Sequence, residues 1–121
     1  MIDYQTFLES EIRVGTVVDV NPLPKARKPA FVLTIDFGPE GTKKSSAQIT
    51  DRYRPEQLEG KQVFAVTNLE PRQVGSVMSE CLVLGVYASE KGDPEKGEPE
   101  NTGPVVLAVP DRKVPNGRRL L

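Results

Sequence analysis

The sequence predicts an all-β fold: a five-stranded barrel with a short helix between its third and fourth strands and with terminal extensions. Apolar residues recur at every second position over short runs, which is typical of strands that are buried on one face. Glycine and proline separate these runs at close spacing, and the sequence contains no long helical pattern. Residues 1–121 are expected to form a single domain that buries a core without metals or disulfides.

The first strand is predicted at Glu11–Val20, after an N-terminal helical turn that Asp3 can cap. Gly15 in the middle of this strand predicts a bulge or a sharp bend, which barrels need where their strands coil. The alternation along the strand places Val14 and Val18 on the same face.

The second and third strands are predicted to form a hairpin. Apolar side chains alternate along Ala30–Phe37, and a second extended run follows at Thr42–Ile49. Pro39 and Gly41 mark the turn between the two runs. Such a hairpin would bring the basic residues near its ends onto one part of the surface.

A short helix is predicted after the third strand, because Pro55 suits a first helical turn and Gly60 suits the position after a helix end. The fourth strand is predicted at Lys61–Asn68, with apolar residues on both faces, and a loop follows at Leu69–Val77. The remaining segments are predicted as a strand, a charged loop and a last strand: Cys81–Ala88, Ser89–Gly103 and Val105–Val109. This order is that of an OB-fold barrel, which commonly binds oligonucleotides across its middle strands. Fold alone does not establish function.

The composition excludes several kinds of catalytic and metal site. The chain has no histidine, which excludes Ser-His-Asp and Cys-His nucleophiles and zinc sites built on Cys and His. The single cysteine, Cys81, lies in an apolar run and is predicted to be a small core residue. We therefore expect no enzymatic activity and no cofactor. Because the sequence shows neither a signal peptide nor a run of the ~20 apolar residues that a membrane helix needs, we expect a cytoplasmic protein without membrane insertion.

Positive charge is concentrated in one part of a nearly neutral chain. The formal net charge is −1, yet residues 25–54 hold seven Lys or Arg against three Asp or Glu. Our hypothesis is that this region presents a binding surface for an anionic or extended partner. The alternative is that Lys43 and Lys44 are solvated charges at a strand end, and that Met78 plugs the barrel or forms a subunit contact. The candidate residues for binding peptide or tRNA are Arg27, Lys28, Lys43, Lys44, Ser45, Gln48, Arg72, Met78 and Ser79.

Several motifs together resemble one family. They are IRVGTVV at Ile12–Val18, ARKPA at Ala26–Ala30, IDFG at Ile35–Gly38, KKSSAQIT at Lys43–Thr50, PRQVGSVMSECLVLG at Pro71–Gly85 and PDRKVPNG at Pro110–Gly117. In these segments the chain resembles the CsaA export-related chaperones. Those are small relatives of the tRNA-binding domain that is appended to methionyl-tRNA synthetases and found in EMAP-II-like proteins.

The resemblance implies an OB-fold homodimer that binds unfolded or preprotein polypeptides and is connected to the secretion machinery, with the secretion ATPase as a further candidate partner. The wider family binds tRNA by its shape, which keeps tRNA as the alternative ligand. The resemblance also places Lys28, Lys43, Lys44, Ser45 and Arg72 where the tRNA-binding relatives carry polar or basic contacts. Those relatives use a Ser-x-Gly-Met segment, of which this chain keeps the serine and replaces the glycine and methionine by cysteine and leucine. This departure favours the chaperone branch.

Overall fold

The computed structural model describes residues 1–24, 28–88 and 104–121, and its elements confirm an all-β fold. The strands in chain order are β1 (Ile12–Pro22), β2 (Phe31–Asp36), β3 (Thr42–Ala47), β4 (Gln62–Val66), β5 (Arg72–Val74), β6 (Val77–Ser79), β7 (Leu82–Val83), β8 (Gly85–Tyr87) and β9 (Val105–Leu107). The helical elements are α1 (Tyr4–Leu8), a 3-10 turn (Gly38–Glu40) and α2 (Pro55–Leu58).

Five of these strands form an antiparallel sheet that curls into a nearly closed barrel. Their order is β3-β2-β1-β4-β7, with β1 in the centre. The two edges meet because β3 contacts β7, where the Val83 N–H donates to Ser45 Oγ at 3.4 Å. The helix α2 follows β3 in the chain and precedes β4, as predicted. This architecture confirms the predicted OB-fold barrel.

A bulge divides the long central strand β1. The first half of β1 pairs with β4 and the second half pairs with β2. The register shifts between Val17 and Asp19, so that Val17 is fully buried whereas Val18 is 52% exposed. The bulge therefore lies beyond Gly15. Val14 pairs with Phe64 outside the main core and Val18 is exposed, so both lie on the outer face of the sheet, as predicted. Gly15 has a different role, because a Cβ there would stand 2.6 Å from a methyl carbon of Ile35.

The main core fills the barrel. Leu33, Ile35 and Phe37, which alternate along the second strand and its end, are fully buried, as the period of two predicts. Leu58 of α2 is also fully buried and belongs to the same cluster. Cys81 is 4% exposed within this core, which confirms the prediction for that residue.

The segment predicted as a loop at Leu69–Val77 contains a hairpin instead. β5 and β6 pair with each other and turn at Gly75, whose φ is 59°. Val74 and Val77 of this hairpin pack against a second buried cluster, which consists of Leu23, Ala30 and Val32. Strands of three residues are too short to show alternation, which is why the sequence pattern reads as a loop.

The apolar run predicted as a single strand at Cys81–Ala88 is two strands. β7 pairs with β4, whereas β8 pairs with β9. Leu84, between the two strands, donates to the Phe64 carbonyl and accepts from the Ala108 N–H, each at 2.9 Å. The predicted charged loop at Ser89–Gly103 lies outside the described residues.

The terminal extensions are anchored to the barrel. Asp3 caps α1 as predicted, since its Oδ1 accepts from the Thr6 N–H at 2.8 Å. The C-terminal segment runs along the first half of β1, where the Val14 N–H donates to the Arg118 carbonyl at 3.0 Å. The Leu120 N–H continues this pairing with a bond to the Ile12 carbonyl at 2.8 Å. None of the helices in the described ranges has the length and apolar character needed to cross a membrane.

Candidate functional site

The predicted binding residues on β3 point to two different faces. In its pairing with β2, Lys43 lies opposite Ile35 and Ser45 lies opposite Leu33, which are both core residues. Directly paired residues of an antiparallel sheet share a face, so these two side chains lie on the barrel side of β3. Ser45 is accordingly fully buried, and Lys43 is half-buried. Lys44 is on the outer face of the sheet and is exposed.

The outer edge of β3 is bonded to the segment that precedes β7. The Glu80 N–H donates to the Lys44 carbonyl at 2.7 Å, and the Lys44 N–H donates to Glu80 Oε1 at 3.1 Å. One residue pair therefore satisfies both the donor and the acceptor of the Lys44 backbone. These bonds fix Lys44 relative to the chain segment at the end of β6.

Two serines among the predicted site residues also hold this seam. Ser79 Oγ accepts from the Ser46 N–H at 3.1 Å and donates to the Cys81 carbonyl at 3.3 Å. Ser45 Oγ donates to the Ser46 carbonyl at 3.3 Å and accepts from the Val83 N–H. Both hydroxyls are thus engaged in joining β3 to the segment around β7.

The β5–β6 hairpin brings further predicted residues next to this seam. Arg72 pairs with Ser79 across the hairpin and is exposed. Met78 pairs with Gln73, and the Met78 side chain is 46% exposed. Since β6 also contacts β3, the hairpin that carries this exposed cation and this exposed, flexible apolar side chain lies next to the strand of Lys44.

Lys28 and Gln48 lie at the borders of the same region. Lys28 is exposed in a bend two residues before Ala30, which packs against the hairpin through the second buried cluster. Gln48 is exposed directly after β3. Arg27 lies outside the described residues. The structure therefore brings Lys44, Ser45, Ser79 and Arg72 onto connected strands, and a common ligand surface for the full set stays a prediction.

The sequence interpretation missed Glu80 and the hydrogen-bonding role of Ser46. A glutamate between Ser79 and Cys81 has the same sequence appearance as any exposed acid, because its partner is a backbone group 36 residues away. No periodicity or motif spacing encodes such a bond. The likeness of this stretch to one family is the signal that could have directed attention to it.

Burial keeps the thiol of Cys81 inert next to this region. Desolvation raises the pKa of Cys81 to about 12, and the nearby positive charge of Lys43 offsets only part of this increase. A thiol of that pKa is protonated at neutral pH, and the thiolate is the nucleophilic form. Within the described ranges, no group of three or more Asp, Glu or Cys side chains is placed to hold a metal ion.

A separate open depression, with a volume of about 340 Å³, lies beside the β1–β4 pair. It is lined by Thr16, Gly60, Lys61, Gln62 and the segment 109–113. None of the predicted binding residues lines it, so it is distinct from the surface around Lys44.

The family model described as "Putative tRNA binding domain" matches residues 12–119, which is nearly the whole chain. The chain belongs to this tRNA-binding domain family. Among solved structures, this tRNA-binding domain is similar to the chaperone CsaA of Bacillus anthracis, with a TM-score of 0.81 and 44% identity over 100% of this chain and 99% of that chain. It is also similar to the CsaA chaperone protein of Picrophilus torridus, with a TM-score of 0.83 and 37% identity over 100% of both chains. The expected resemblance to CsaA and the tRNA-binding domains is confirmed.

The curated relatives of this tRNA-binding domain include much longer proteins. A methionine–tRNA ligase of Bacteroides fragilis is 34% identical over 116 residues, which cover 96% of this chain. The match spans only 15% of the length of that ligase. The likeness to the ligase therefore concerns one part of it.

Proposed function

We propose that this protein is a molecular chaperone that binds unfolded or preprotein polypeptides in support of protein export. The observation that carries the proposal is the likeness over the full chain to two CsaA chaperones, at 44% and 37% identity. In this proposal, residues 1–121 form a single domain that acts in the cytoplasm. The domain has no catalytic activity of its own. Its further proposed partner is the secretion ATPase.

The proposed polypeptide surface comprises the outer face of β3 and the β5–β6 hairpin. Extended polypeptides offer both backbone polar groups and apolar side chains, so a surface for them needs hydrogen-bonding groups beside adaptable apolar ones. Lys44, Gln48 and Arg72 supply exposed polar groups, and Met78 supplies an exposed flexible thioether. Ser45 and Ser79 support this surface by holding the strands that carry it.

A titration against a permanently unfolded protein tests this proposal. The probe is reduced and carboxymethylated α-lactalbumin, and the same protein in its folded, disulfide-bonded form is the control. We expect saturable binding to the unfolded form, weakened by Met78→Ala and by Arg72→Ala. Equal binding to both forms, or binding to neither, would contradict the chaperone proposal.

The second candidate function is shape-selective tRNA binding, which the match to the tRNA-binding domain family over residues 12–119 favours. Exposed Lys44 and Arg72 are suitable phosphate contacts, and such contacts make affinity fall with salt. We expect the slope of log affinity against log salt to decrease by about 1 when one phosphate-contacting lysine is replaced by alanine. Undetectable binding to total tRNA at low salt would remove this candidate.

We further propose that the protein is a homodimer through its terminal extensions. Apolar side chains there are exposed: Ile2 is 69%, Tyr4 is 61% and Leu121 is 95% exposed. Covering such side chains is a usual reason for association. Light scattering at micromolar concentration should give twice the 13.3 kDa chain mass, and a mass of one chain would contradict the dimer.

A further inference from the structure

Glu80 forms two bonds with one backbone position in the proposed surface. Its N–H donates to the Lys44 carbonyl at 2.7 Å, and its carboxylate accepts from the Lys44 N–H at 3.1 Å. Regular strand pairing would use a backbone carbonyl in place of the carboxylate. The Glu80 side chain thus supplies the acceptor for the Lys44 N–H that a backbone carbonyl would supply in regular strand pairing.

The neighbouring residues repeat this arrangement. The Ser46 N–H, two positions further along β3, donates to Ser79 Oγ and not to a backbone carbonyl. The outer edge of β3 is therefore closed by the consecutive side chains of Ser79 and Glu80. An edge strand with free N–H groups is mobile and prone to wrong pairing, so these two side chains determine the geometry of the edge.

We propose that Glu80 is a positioning residue for ligand binding: it fixes the Lys44 backbone and thereby presents the Lys44 side chain on the surface that takes polypeptide. This inference rests on the proposed function, because it assumes that Lys44 contacts the ligand. Glu80 itself is not assigned a ligand contact. Its contribution is the ordering of Lys44 before the ligand arrives, which lowers the entropy lost on binding.

The charge of Glu80 acts in the opposite direction to this positioning effect. A carboxylate beside Lys43 and Lys44 reduces the local positive charge and so weakens the attraction of an anionic ligand. Glutamine separates the two effects, because its amide oxygen can still accept from the Lys44 N–H while the charge is lost. Alanine removes both the acceptor and the charge.

The test compares Glu80→Gln, Glu80→Ala and Lys44→Ala in binding to reduced, carboxymethylated α-lactalbumin. Glu59→Ala is the matched control, since Glu59 is exposed and its side chain forms no hydrogen bond or ion pair with any other described residue. We expect Glu80→Ala to weaken binding roughly three- to tenfold, which corresponds to one hydrogen bond. Glu80→Gln should restore binding to within about twofold of the wild type, and Glu59→Ala should leave it unchanged.

A spectroscopic measurement tests the positioning without any ligand. In the wild type, the amide proton of Lys44 should exchange slowly with solvent, because it donates to Glu80 Oε1. The exchange should be faster in Glu80→Ala and should stay slow in Glu80→Gln, whose amide oxygen can still accept. A Lys44 amide that exchanges equally fast in the wild type and in Glu80→Ala would overturn the proposal.

The outcomes separate this inference from the proposed function. If Lys44→Ala binds as well as the wild type, the proposed surface is wrong, whatever the Lys44 amide shows. If Lys44→Ala binds weakly while Glu80→Ala binds normally, the positioning role is wrong and the surface stands. Stronger binding by both Glu80 variants would identify charge as the dominant effect and would also overturn the proposal.

Discussion

Gly117 lies directly against the backbone carbonyl of Phe37, at such close range that a Cβ on Gly117 would stand 2.5 Å from that oxygen. Phe37 is fully buried at the end of β2, whereas Gly117 belongs to the C-terminal segment. The φ of Gly117 is 95°, in the region that side chains rarely adopt. The C-terminal segment is therefore fitted to the core through a position that only glycine suits.

Replacement of Gly117 by alanine should destabilise the protein by about 2–4 kcal/mol, because it adds a collision to the backbone strain. Gly60→Ala is the matched control, since Gly60 has a φ of 87° and open space around it. That variant should cost only about 1 kcal/mol, from strain alone. Urea unfolding of both variants measures the difference, and equal losses of stability would show that the contact with Phe37 is unimportant.

Arg13 to alanine should lower the free energy of unfolding by about 1–3 kcal/mol. The Arg13 guanidinium donates to the Gly117 carbonyl at 2.8 Å and forms an ion pair with Glu11 at 3.0 Å, while its side chain is only 16% exposed. Thermal or urea unfolding at matched protein concentration measures the effect.

Arg112→Ala is the control for this prediction. Arg112 pairs with Asp111 at 3.4 Å, but both side chains are more than 90% exposed, and such pairs contribute little. We expect this variant to unfold like the wild type. A comparable loss of stability in both variants would mean that removal of a positive charge is responsible, and not removal of the bonds from Arg13 to Gly117 and Glu11.

Stability should fall as the pH rises above about 9, in part because of Cys81. Burial raises the pKa of this thiol from 9.0 to about 12 in the folded state. Between these values the unfolded chain releases the thiol proton and the folded chain keeps it, so that a rise in pH favours unfolding. In Cys81→Ala, the free energy of unfolding should fall less steeply over this pH range than in the wild type. Urea unfolding of both proteins at several pH values measures the difference. An equal fall in both proteins would show that the Cys81 thiol does not contribute to this pH dependence.

Ser45→Ala should reduce stability by about 1 kcal/mol and leave the affinity of the folded protein for polypeptide nearly unchanged. The Ser45 hydroxyl is fully buried and bonds to backbone groups on both sides of the barrel seam. Unfolding and titration of the same variant provide the two measurements. A loss of affinity with full stability would make Ser45 a ligand contact.

The sequence pattern was sufficient to predict the elements that have a sustained alternation of apolar residues or a distinctive residue at a helix end. The alternation from Phe31 to Phe37 predicts β2 and the core that it supplies, and Asp3, Pro55 and Gly60 mark the short helices. These features act over a few neighbouring residues, which a single sequence displays directly.

The β5–β6 hairpin could not be predicted in the same way, because its strands of three residues are too short to show alternation. The individual bonds that close the barrel could not be predicted either, because they join residues that are distant in sequence, such as the bond from the Lys44 N–H to Glu80. The fully buried position of Ser45 likewise follows from its pairing with Leu33, and not from its own polarity. A polar residue in a predicted strand gives no sign of which face it occupies until the register is known.

The pairing of Arg13 with Arg119 joins the beginning of β1 to residues more than a hundred positions later in the chain. A chain emerging from the ribosome cannot close this edge until residues 117–120 are free, so the first half of the central strand keeps an unpaired border until then. Contacts of such long range also slow folding, because a large loop must be ordered before they form. Nascent chains of this protein should therefore need protection from wrong pairing along β1 until residues 117–120 have been synthesised and can pair with it.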